Sequence, residues 1–107
     1  MALDFDKVFD DMLGAAAGVL SAEWPKVKAC VEGAFKRERE ALEGIARARL
    51  KGEIGDEDAK SQLEDEKLVL EAELLVCKVQ GKVAAQQAVN AAIGVLAAAI
   101  KGALKIV

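Results

Sequence analysis

Lys51-Gly52-Glu53-Ile54-Gly55-Asp56-Glu57-Asp58 is the stretch on which the reading of this chain turns. A glycine just past a run of helix formers readily takes the left-handed conformation that ends a helix, and a cluster of acids suits the positive end of the next one. The stretch therefore predicts a bend between two antiparallel helices. Residues on either side whose numbers sum to about 107 then face each other across the two arms.

Working outward, the 107 residues predict a single domain, 1–107, with arm one over about 4–51, the bend over about 52–56 and arm two over about 56–104. Apolar residues make up 53% of the chain but aromatic ones only 4%, so burial has to come from many small contacts. With one proline and long runs of Ala, Leu, Glu, Lys and Arg, the expected fold is all-α: a long antiparallel helical hairpin that associates into a four-helix or larger, coiled-coil-like bundle.

In arm one, Phe5, Phe9, Met12, Ala16 and Val19 recur at four- and three-residue spacing, which predicts an apolar helix face starting at Asp4 or Asp6 and running to about Ala22. Pro25 then breaks or kinks the arm, with the direction of travel expected to continue. Trp24, Val27, Val31, Ala34, Glu38, Ala41, Ile45 and Ala48 carry the same spacing to Leu50. Glu38 is the polar member of that stripe, and Arg37 and Arg39 are its expected partners. Arm two holds no proline and reads as one continuous helix, with a stripe through Val76, Val79, Val83, Gln86, Asn90, Ile93, Ala97, Ile100 and Leu104, in which Gln86 and Asn90 read either as a buried polar layer or, preferably, as part of a polar face. Gln86, Gln87, Asn90, Lys101 and Lys105 occupy about a third of its circumference, and the wide apolar remainder needs more than one neighbour.

Charge tests the hairpin separately. Residues 36–51 carry six bases and three acids, residues 53–73 nine acids and two lysines, so the arms beside the bend complement each other. The sum rule pairs Asp6 with Lys101, Lys36 with Glu71, Glu40 with Lys67 and Arg49 with Asp58. Each exposed pair contributes at most about 1 kcal/mol, but the pattern disfavours slipped and parallel arrangements.

The rule also puts Cys30 level with Cys77, as small buried thiols or, in an oxidising compartment, as a cross-link. Two cysteines without a histidine do not read as a zinc site. Acids at positions 4 and 6, where a secretory leader would be basic, make the cytoplasm the expected location.

Chemistry is sparse. There is no histidine or tyrosine and no phosphate-binding glycine loop, so neither serine nor cysteine has a base to activate it, and no enzyme activity, cofactor or metal is expected. Glu32, Glu38, Glu66 and Glu73 are the only candidate carboxylate metal set, without the nitrogen ligands that di-iron bundles use. A net charge of −3 with interleaved bases disfavours nucleic acid as a partner. Residues 12–22 and 83–100 are uncharged and are expected at the open end of the hairpin. Gly14, Gly18, Ala84, Ala88, Ala92 and Gly94 there form the expected self-association surface of a homo-oligomer. The expected function is thus a structural or protein-interaction module; the alternative is a hairpin that binds or enters a membrane through the same uncharged segments.

Overall fold

The computed structural model describes residues 3–106. Helices are the only regular elements among them: α1 (Phe5–Val19), α2 (Trp24–Leu50), α3 (Asp56–Val76) and α4 (Lys82–Ile106). The chain is all-α and packs as four helices in one globule, so each expected arm is in fact two helices.

Arm one reverses direction instead of continuing. Were it straight, residues 6 and 39 would lie about 50 Å apart at 1.5 Å per residue. In the structure Arg39 pairs with Asp6, and its guanidinium sits 5.4 Å from the Phe5 ring centroid and 5.0 Å from that of Phe9. α1 ends at Val19, residues 20–23 turn, and Pro25 falls in the first turn of α2, where its missing N–H costs nothing. At the other end of α1, the Asp4 carboxylate accepts from the Lys7 N–H at 3.2 Å.

Arm two also breaks. α3 stops at Val76, and Val79 and Lys78 donate their N–H groups to the carbonyls of Leu74 and Leu75 at 3.2 and 3.0 Å. Lys78 is left-handed at φ 66°, and Leu74 and Val79 are both buried beneath the turn. This is the hydrogen-bond pattern and apolar clasp of a Schellman stop. The bend at 51–55 repeats it: Glu53 and Gly52 donate to Ala48 and Arg49 at 2.9 and 3.2 Å, with Gly52 at φ 78°. Gly55, in extended conformation, precedes α3, so Asp56 opens the helix and does not cap it.

The result is an up-down-up-down arrangement with two poles. The start of α1, the bend and the end of α4 share one pole: Leu3 and Phe5 line a hollow with Ala46 and Leu50, and Leu104 lies near Arg49 and Asp56. The turns at 20–23 and 77–81 share the other, where the Gln80 N–H donates to the Glu23 carboxylate at 2.9 Å. The uncharged segments are therefore not at an open end; each runs along the body of the bundle.

α1 makes its most extensive contact with α4, where Ala16, Ala85, Ala88 and Ala92 are fully buried and let the helices approach closely. Phe35, Met12, Leu42, Leu70, Leu74 and Leu96 are the largest enclosed side chains, and cutting one back to alanine costs about 2–5 kcal/mol. The expected stripes are partly rotated. Leu20 is buried where Val19 was expected, Phe35, Leu42 and Ala46 enter the core while Ala41 stays exposed, and Val76, Val83 and Ala97 are exposed. Gln87, Asn90, Lys101 and Lys105 are exposed, while Gln86 is half-buried.

Candidate functional site

Three features outside the core carry chemistry: an outer face on α2 and α3, a carboxylate cluster between them, and a groove between α3 and α4.

α3 is apolar on two opposite sides. Ala59, Leu63, Leu70 and Leu74 point into the core. At 100° per residue, Leu68, Val69, Leu75 and Val76 spread about the opposite side with Ala72 at their centre, and Leu68 and Val76 are 66% and 80% exposed. The exposed acids Asp58 and Asp65 lie on the same side, toward the start of the helix. The outer face of α2 is the converse: Lys26, Ala29, Gly33, Lys36, Gly44 and Arg47 lie within about 80° of arc, small and basic, with Glu40 as the acid among them. One helix presents large apolar groups with acids; its neighbour presents hollows with bases.

The α2–α3 seam carries Glu38, Glu66 and Glu73. Arg37 donates to Glu73 at 2.8 Å, and Arg39 is taken by Asp6, so neither arginine pairs with Glu38 as expected. One oxygen each of Glu66 and Glu73 is buried without a hydrogen-bond partner. Desolvation first, then a shared proton with Glu38 and the negative charges of Glu38, Asp65 and Glu73, raises the Glu66 carboxyl from 4.5 to about 7. Glu66 is thus the carboxyl of the cluster that is pushed toward its protonated form. No three acids, cysteines or histidines among the described residues are arranged to hold a metal ion.

The groove has a volume of about 530 Å³. Ala59, Leu63, Ile93, Ala97, Ile100 and Leu104 form its floor, and Arg49, Lys60, Lys67 and Lys101 stand around it with Asp56 and Glu64. Arg49 pairs with Asp56 at 2.7 Å and Lys67 with Glu64 at 3.1 Å, whereas Lys60 and Lys101 make no ion pair among the described residues.

The residues singled out in the sequence scatter. Gly14, Gly18 and Gly94 are exposed with open space around them, but Ala88 and Ala92 are fully buried against the chain's own helices and Ala84 is half-buried. Those alanines are occupied within the chain, so the six cannot act together as a surface. Cys30 and Cys77 are joined as a disulfide with Cα atoms 5.6 Å apart, and Cys30 is exposed, so the buried-thiol expectation gives way to the cross-link. The sum rule holds there and drifts elsewhere: Arg49 takes Asp56 in place of Asp58, Arg37 takes Glu73 where Lys36 and Glu71 were expected, and Lys67 turns to Glu64. The outer α3 face escaped notice because helical spacing identifies an apolar stripe without saying that a helix has two. Compared with protein-family models, characterised proteins and solved structures, the chain has no significant match.

Proposed function

We propose that this chain is a disulfide-stapled interaction module that works by pairing with a second copy of itself and carries out no catalysis. The outer face of the α2–α3 layer is the observation that carries the reading. A monomer gains nothing by exposing Leu68, Val69, Leu75 and Val76 together, and such a patch beside polar residues marks an association surface.

The occupant follows from complementarity. Two copies set layer to layer, with a two-fold axis along the helices, lay α3 of each on α2 of the other and keep residues at their original level. Leu75 then seats on the partner copy at the level of Gly33, and Asp58 comes within a turn of the level of Arg47. Turning α3 onto α3 would oppose acids to acids, which specificity disfavours.

Sedimentation velocity across a concentration series tests this. Gly33→Leu should abolish the dimer while leaving the subunit at least as stable, because a Cβ at Gly33 meets only the Arg37 side chain at 3.5 Å and leucine is the better helix former by about 0.8 kcal/mol. Arg47→Glu should weaken pairing and Asp58→Arg in the same chain should restore it. A wild type that stays monomeric at high concentration sinks the proposal.

One observation favours a membrane reading. α4 contains a stretch, Lys82–Lys105, long and apolar enough to cross a bilayer by length and composition, with an 18-residue window of mean hydropathy 1.6. The same description fits the central helix of a bundle, and its most apolar side, with Val89, Ile93 and Leu96, is already buried in the core. Flotation with liposomes separates the two readings, since a membrane hairpin would float while the dimer would stay below. The Cys30–Cys77 bond supports an oxidising setting over the cytoplasm expected earlier, because such bonds persist where thiols are not kept reduced.

A further inference from the structure

We propose that the groove between the first half of α3 and the second half of α4 binds a single-chain aliphatic carboxylate, with the tail along the apolar floor and the head group between Lys60 and Lys101. The site is independent of the pairing face, which lies on the outer side of the α2–α3 layer.

The floor comes first. Ala59 on α3 and Ala97 on α4 are too short to fill the space between the helices, and Leu63, Ile93, Ile100 and Leu104 complete an apolar trough. Its lining spans residues 56–67 of α3 and 93–104 of α4, about 17 Å along each axis at 1.5 Å per residue. The trough encloses about 530 Å³. It lies within the range of small-ligand sites, about 300–1,000 Å³. A narrow, unbranched, apolar tail fits the floor; a polar or aromatic ligand would meet neither hydrogen-bonding groups nor rings there.

The rim decides the head group. The chain is acidic overall, at net −3, yet four cations and two acids surround this trough. Asp56 and Glu64 neutralise Arg49 and Lys67, and Lys60 on α3 and Lys101 on α4 make no ion pair among the described residues. A carboxylate placed between them supplies charge-assisted acceptors for both ammonium groups. Apolar floor and cationic rim together select an anionic amphiphile over a neutral or cationic one.

Isothermal titration of the full-length, disulfide-bonded protein with dodecanoate, below the concentration at which it forms micelles, tests the proposal. Saturable one-to-one binding is expected, at least about tenfold tighter than that of dodecyltrimethylammonium. Lys60→Glu with Lys101→Glu should weaken dodecanoate binding by about tenfold or more, and Ala97→Phe should abolish it by filling the trough, both with helical circular dichroism intact. Ala97→Leu serves the same end if phenylalanine disturbs the fold. Equal affinity for the cationic amphiphile overturns the proposal, as does binding that survives both position-97 variants. Failure to bind dodecanoate while adsorbing to anionic vesicles also overturns it and assigns the cations to a membrane surface.

Discussion

Gln80 donates its backbone N–H to the Glu23 carboxylate at 2.9 Å, which joins the turn between α1 and α2 to the turn between α3 and α4 across 57 residues of sequence. Both turns reverse the chain, and this bond is a direct polar link between them. Glu23→Ala should lower stability by about 1 kcal/mol, the typical worth of a hydrogen bond to a charged group discounted for exposure. Urea unfolding with an unchanged m-value checks it.

Lys78 holds a left-handed conformation at φ 66° that costs a side-chain-bearing residue about 1 kcal/mol and glycine almost nothing. Lys78→Gly should therefore raise stability by about 0.5–1 kcal/mol, an unusual sign for a glycine substitution. Thermal unfolding of the two proteins side by side would show it, and a lower midpoint for the variant would contradict the turn.

The Cys30–Cys77 bond closes a loop of 47 residues, for which loop-closure entropy in the unfolded chain predicts about 4 kcal/mol. Reduction should lower the unfolding free energy by about 2–4 kcal/mol while helical content persists, because the buried residues of α2 and α3 still pack. Exposure of Cys30 makes the bond accessible to a small reductant without prior unfolding.

Glu66 predicts a pH dependence opposite to that of a salt-bridged carboxylate. A carboxyl whose pKa is raised on folding, here from 4.5 to about 7, binds its proton more tightly in the native state. Its stabilising contribution is complete below 4.5 and is lost as pH rises through about 7. Glu38, Asp65 and Glu73 oppose its ionisation, and the Arg37 charge is engaged by Glu73. Glu66→Gln should stabilise the protein at about pH 8 by on the order of 1 kcal/mol, after allowance for solvent screening, and change little at about pH 4. Denaturant titrations at the two pH values test the sign.

The two helix stops explain how much could be read in advance. Both use the same hydrogen-bond pattern, but the first places Gly52 at the left-handed position and the second places Lys78 there. Glycine announces such a stop and lysine does not, so the bend at 51–55 was legible and the turn at 77–81 was not. The reversal after α1 was hidden differently: Pro25 marked a break, but a break does not say which way the chain leaves. Helix type, the α2–α3 pairing and the level of Cys30 with Cys77 follow from spacing and charge. The groove was not legible, since it exists because α4 comes back along α3, a contact no local pattern encodes.

The placement of both ends of the described chain at one pole, with the disulfide near the other, sets how the molecule would respond to pulling. Force applied through residues 3 and 106 would peel α1 and α4 away from the bend pole, like a zipper opened from one end. Once it reached Cys30 and Cys77 the load would pass through the sulfur bridge and bypass the chain between them. Some 47 residues, roughly 160 Å of extended contour, would stay out of reach until the bridge was reduced. The redox state would then fix how far the chain can be drawn out under tension.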